Sequence, residues 1–222
     1  MVPVAFVFVG AVLLINGLVL LGFVPPRSSV PINLLVALAL AGTALQIILT
    51  TDALGPELSA ASSPLWSAAG FMLFSFTYLT VAVNTLTGGE GSTLGWYCLW
   101  AAAISAVITL VQLLVLQDPH LAVLWGAWAI LFAAFFLAQA TPWAWSQRPA
   151  GALAVMQSVT TATIPALLDL AGWWRQAPLA LVLGSQAAVV VVYAVLMVRE
   201  RRCALRPEPT VHTGPLPVPA SA

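Results

Sequence analysis

Charge is what this sequence has least of. Charged residues make up 6% of its 222 positions, and lysine is absent, so arginine supplies all seven positive charges. With 61% hydrophobic residues and a mean hydropathy of +1.02, there is too little charge to cover a soluble globule, and a bilayer must be the solvent. Each absence removes a class of function. Without lysine there is no Schiff base, which excludes a retinal-binding seven-helix protein. A formal net charge of zero leaves no broad basic face for nucleic acid. The two cysteines, Cys98 and Cys203, lie in different segments without pairing or metal-ligand spacing, so neither a disulfide framework nor a metal site is expected. No H-E-x-x-H, no G-x-S-x-G and no paired intramembrane acids are present, so the chain reads as no enzyme and as needing no cofactor.

What the sequence has in abundance is long apolar runs. A transmembrane helix needs roughly 20 mostly apolar residues to cross about 30 Å of hydrocarbon. The charges cut the chain into seven pieces of that size, at about Pro3 to Leu21, Pro31 to Thr50, Trp66 to Leu86, Thr93 to Leu116, Leu121 to Ala140, Ala150 to Leu170 and Pro178 to Val198. Turn chemistry separates them, as in Pro25-Pro26-Arg27-Ser28 and Gly88-Gly89-Glu90-Gly91. Unbroken runs are not the alternating pattern of barrel strands, so the expected fold is an all-α integral membrane bundle. The first span has no preceding positive residue and no A-x-A-like site after it, so it is read as retained. If the N-terminus faces outward, Arg27, Arg148, Arg199, Arg201, Arg202 and Arg206 all fall inside and only Arg175 falls outside. This makes the chain a multi-pass protein of a bacterial-type inner (plasma) membrane, in contact with its lipids, with a cytoplasmic C-terminus. The tail, residues 201–222 and above all the proline-rich stretch from Pro207, is expected to be disordered.

Ionisable groups at membrane depth usually mark ion or proton pathways. The middle of every span lacks one; Asp169 alone lies within a helix, near its outer end, as an interfacial acid paired with Arg175 or water. Neutral hydrogen-bonding capacity remains: Asn16, Asn33, Gln46, Ser75, Thr77, Tyr78, Asn84, Gln112, Gln139, Gln157, Thr160 and Thr161. Such groups either tie helices together or replace the water of a neutral polar solute, whose amide loses roughly 2 to 7 kcal/mol when stripped of partners. Trp125, Trp128 and Phe132 share one face of the fifth span, and Phe74 and Tyr78 one face of the third. Facing rings would leave a slot for a planar molecule, although a tryptophan stripe also serves as packing or an interfacial anchor.

These residues fall in an order that resembles the AmiS/UreI family of urea and short-chain amide channels. The first span reads Val9-Gly10 through Ile15-Asn16-Gly17, followed by Pro26-Arg27-Ser28 and Asn33, similar to the family's V-G…N-G…D-P-[KR]-S…N opening. The third reads Phe74-Ser75-Phe76-Thr77-Tyr78-Leu79 with Asn84, like F-G-F-T-Y-L…N, and Trp96-Tyr97, Trp125-Gly126-Ala127-Trp128 and Ile164-Pro165-Ala166 follow. The likeness covers about residues 4–174. It implies a six-helix channel domain over residues 1–174 with a pore in each protomer, assembled as a homohexamer. It places Phe74, Tyr78, Trp125, Trp128, Leu131 and Phe132 at the constrictions, with Leu13 and Asn16 contributing from the first span.

Departures from the pattern bear on the reading. Pro25 stands where the family opening has an acid, Phe132 where a related pore uses tryptophan, and Gln157 where urea-channel relatives have glutamate. Acid-gated relatives carry histidine-bearing outer loops, whereas His120 alone lies outside here, a solvated loop residue, so strong acid activation is not expected. Residues 175–200 add a seventh span. The expected function is passive conduction of urea or short amides, functionally linked to a cytoplasmic amidase or urease. The alternatives are a proton- or ion-coupled transporter and a noncatalytic membrane scaffold or sensor subunit.

Overall fold

The computed structural model describes residues 2–53 and 63–206, and the tail expected from Pro207 onward lies outside them. Among the described residues every regular element is helical, as hydrocarbon demands: a spanning segment must satisfy its own backbone N–H and C=O groups. The order is α1 (Val2–Leu20), α2 (Val30–Asp52), α3 (Ser63–Thr87), α4 (Ser92–Leu114), α5 (Pro119–Ala140), α6 (Gln147–Gln157), α7 (Ile164–Leu170) and α8 (Leu179–Ala204). A wide π-helical turn, Ser158–Thr163, joins α6 to α7. Counting the composite Ala144–Leu170 as one, seven described helices are long and apolar enough to cross a membrane, matching the seven runs read from the sequence.

Local chemistry sets the ends. Asp118 caps α5 by accepting the Leu121 amide at 3.0 Å, with Pro119 in the first turn. Gly22 closes α1 with φ +84°. Its amide donates to the Val19 carbonyl at 3.0 Å and that of Phe23 to Leu18 at 2.9 Å, the paired closure that a left-handed residue permits. Gly172, at φ +74°, ends α7 in the same way.

Two expectations change. The sixth span is not one regular helix. Pro165 has no N–H and crowds the carbonyl four residues back, so the helix widens just before it, with Thr160, Thr161 and Thr163 hydroxyls donating to the carbonyls of Met156, Gln157 and Ser158. The last helix also runs to Ala204, so residues 201–204 continue α8 instead of joining the tail.

The bundle is built from close helix pairs. α4 lies along α5, α2 along α3, and α1 along α6 and the π turn. The third pairing depends on absent side chains: a Cβ on Gly17 would lie 2.8 Å from the Gly151 carbonyl, and one on Gly151 would lie 2.9 Å from the Gly17 carbonyl. Small residues of this kind let membrane helices approach backbone to backbone. α8 rests on the periphery against α5 and α6, burying Val182, Gln186 and Val189. Gly17→Val should therefore cost about 1–3 kcal/mol by overpacking, read as a lower thermal midpoint in detergent. Gly42→Ala should not lower it, because nothing lies within 4 Å of a Cβ there.

Candidate functional site

α3 and α5 belong to different helix pairs, and their facing side chains fill the space between them. Phe74 is the hub. Its ring centroid lies 6.2 Å from Tyr78, 6.3 Å from Trp125, 5.1 Å from Trp128 and 5.3 Å from Phe132. Trp125 and Trp128 meet edge to face at 4.9 Å and 88°. Phe6 of α1 extends the set, 5.6 Å from Trp128 and 5.3 Å from Phe71. Facing flat rings were expected to leave a slot; among these contacts only Phe74–Tyr78, at 25°, is near parallel. The two contacts between Trp128 and its neighbours Phe74 and Trp125 are edge to face, where a ring's negative face attracts another's positive edge, worth about 0.5–1.5 kcal/mol per pair, and the others are tilted. The rings interlock as a seal, with Trp128 0% and Tyr78 1% exposed.

The seal is held in register from behind. Trp128 Nε1 donates to Thr161 Oγ1 at 3.0 Å, and that hydroxyl donates to the Gln157 carbonyl at 2.7 Å. The widened turn before Pro165 thus supplies the anchor for a ring on α5. Gln157 follows it from the same segment, its Nε2 donating to the Ala127 carbonyl at 3.0 Å while Oε1 is buried without a partner. Trp125 sits in a notch at Gly70, where its ring atoms occupy the space a Cβ would need.

A cavity lies on each side. Towards the end where α1 begins, a small one of about 40 Å³ is lined by Phe6, Ser67, Gly70, Phe71, Leu121 and Trp125. Towards the end where α1 finishes, a larger one of about 360 Å³ reaches up to Tyr78. Its wall carries the carboxamides of Asn16, Asn84, Gln139 and Gln147, and no ionisable carboxylate, guanidinium or imidazole. Asn16 is committed, exchanging two hydrogen bonds with Asn33 at 2.9 and 2.8 Å, and Asn33 also donates to the Ser29 carbonyl. The Tyr78 hydroxyl and Asn84 Nδ2 are buried without partners. A buried donor left unpaired costs about 1–3 kcal/mol, so both favour any solute that can accept.

The predicted residues divide accordingly. Asn16 and Tyr78 line the large cavity and Trp125 the small one. Phe74, Trp128 and Phe132 form the seal between them. Leu13 and Leu131 are buried in the same hydrophobic core but line neither cavity, and neither does Gln157. Phe6, Phe71 and Gln147 were not singled out; Gln147, beside Arg148 at a helix start, carries no sequence signal of its position. Asn84 and Gln139 stand among the neutral polar residues, Asn84 also as a landmark of the third span and Gln139 seven residues beyond Phe132 on the same face, but neither is among the expected pore residues. Two loop expectations are corrected. Arg175 reaches Asp118 at 3.9 Å rather than Asp169, and His120 is a tether, its Nε2 2.8 Å from the Ala177 carbonyl and its ring edge-on to Trp174.

A family model described as "AmiS/UreI family transporter" matches residues 1–173, ending just before α8. A Rhodococcus erythropolis protein described as the transporter AmiS2 is 36% identical over 93% of this chain and 96% of its own length. A Mycolicibacterium smegmatis transporter of amidate substrates is 34% identical over 86% of this chain and 88% of its own. The structure of the Helicobacter pylori urea channel in its closed state superposes with a TM-score of 0.67 and 26% identity, covering 78% of this chain and all of the other. The ordered landmarks of α1, α3 and α5, the helical architecture and these matches agree: the chain belongs to the AmiS/UreI family of transporters.

Proposed function

We propose that this protein is a passive channel for urea and short-chain aliphatic amides, with the path running through each protomer between the two cavities. The observation that carries the reading is the large cavity, walled by neutral carboxamides, where the Asn84 amide nitrogen and the Tyr78 phenol stand unpaired at the foot of an aromatic seal. A neutral, planar, strongly hydrated solute needs partners as it sheds water, and conduction needs those partners to be weak enough to release it. Uncharged donors and acceptors meet both demands. The names of the relatives, one handling amidates and one conducting urea, favour the same class of solute.

In this reading Phe74, Trp125, Trp128 and Phe132 are the constriction, Tyr78 and Asn16 hand the solute across its edge, and Leu13, Leu131 and Gln157 support the wall. Residues 1–174 are the channel unit and α8 is an addition to it. Arginine placement puts the start of α1 outside and the large cavity on the cytoplasmic side of a bacterial inner membrane, where an amidase or urease would consume what enters. A homohexameric ring is the expected assembly. A coupled transporter finds no support among the described residues, because no titratable carboxylate, imidazole or guanidinium lines either cavity.

Proteoliposomes containing the protein should equilibrate urea and acetamide faster than empty vesicles, measured by stopped-flow light scattering; an unchanged rate with folded protein present sinks the proposal. Tyr78→Phe keeps the ring but removes one hydrogen-bond donor worth about 0.5–1.5 kcal/mol, so amide flux should fall about two- to tenfold. Among the described residues His120 is the single histidine, and it lies at the end of the bundle away from the large cavity. Flux should consequently change less than about twofold between pH 5 and 7.5, the interval in which histidine is the usual switch. A steep rise on acidification would overturn that expectation.

A further inference from the structure

The end of α8 plays no part in the channel argument, yet it combines two features found together nowhere else among the described residues. Arg199 and Arg202, at i and i+3, share one helical face, and Arg206, two residues past the helix end at Ala204, lines the same groove. Val195 continues that face toward the helix start. The stripe therefore changes along its length from apolar to cationic. A shallow groove of about 560 Å³ follows it, lined by Ala194, Val195, Val198, Arg199, Arg202, Cys203 and Arg206.

Every one of these side chains is exposed. No carboxylate among the described residues forms an ion pair with the three arginines; the ion pair present lies at the other end of the bundle, between Arg175 and Asp118. Among the described residues, four arginines stand here against Glu200 alone. An arginine cluster at the membrane edge of a spanning helix is costly in self-repulsion unless an anion offsets it.

We infer that this groove binds an anionic phospholipid, its phosphodiester held by Arg199, Arg202 and Arg206 and its acyl chain lying against Val198, Val195 and Ala194. The order of groups supports a lipid over a free anion. Ala194 to Arg202 spans about 12 Å of helix, with Arg206 just beyond its end, long enough for a phosphate and the upper part of an acyl chain in the sequence a lipid presents them. Guanidinium groups form paired hydrogen bonds to phosphate oxygens, which ammonium groups cannot reproduce. Basic residues beside a spanning helix also face the negative potential of an anionic leaflet.

The test uses the full chain in detergent, titrated with phosphatidylglycerol or phosphatidylcholine and read by native mass spectrometry. Phosphatidylglycerol should be retained about tenfold more tightly, a difference of about 1.4 kcal/mol. R199Q/R202Q/R206Q should abolish the preference, and R199K/R202K/R206K, which keeps the charge and the topology signal, should lose most of it. Arg201→Gln, off the groove, should leave it within about twofold of the unaltered chain, as groove rather than bulk charge predicts. Equal retention of the two lipids, an Arg201→Gln loss as large as the triple variant's, or full displacement by inorganic phosphate would each overturn the proposal. The first would mean no site, the second diffuse charge, and the third an anion site with no place for a chain. The readout is independent of solute flux, so its failure leaves the channel reading untouched.

Discussion

Inside a bilayer an unpaired hydrogen-bonding group has nowhere to turn, and this constraint organises the molecule. Most polar side chains at depth obey it by donating to a carbonyl: Ser75 to Ala37, Tyr97 to Leu73, Thr77 to Leu73. Against that background the exceptions become informative. The Tyr78 hydroxyl and Asn84 Nδ2 break the rule in the same place, on the wall of one cavity. The remaining unpaired atoms, on Ser105, Gln112, Gln157 and Gln186, line neither that cavity nor its smaller counterpart.

The seal and its support form a second layer of organisation. A proline on the sixth span forces a widened turn; a threonine hydroxyl in that turn donates to the Gln157 carbonyl; and the same hydroxyl accepts from an indole on the fifth span. Pro165, Thr161 and Trp128 are thus one mechanical unit, though 37 residues separate the first from the last. Glycines serve the same end from the other side, Gly70 by making room for Trp125 and Gly17 with Gly151 by letting α1 reach the widened span.

Much of this was legible in the sequence, and what was not has identifiable causes. Span number follows from apolar run length, and the inward direction of Tyr78 and Trp125 follows from helical spacing within a recognisable ordered pattern. The break in the sixth span was missed because its composition is apolar throughout and a lone Pro165 is compatible with a simple kink. The geometry of the rings was misjudged because spacing places side chains on a face without fixing their tilt. Of the two partners expected for Asp169, Arg175 or water, the first rested on proximity in the chain, whereas the fold brings Arg175 to Asp118. Gln147 lies at the start of a helix, where no periodicity constrains which way it points.

α3 and α5 supply the rings of the seal while their backbones keep apart, each pressed instead against its own hairpin partner. The space between the two helices is consequently closed by side chains and not by backbone. Under the proposed channel reading, exchanging one ring for a smaller one would change what fits while the helix pairs stay in place, so a single scaffold could diversify among solutes by point replacement and leave its architecture intact.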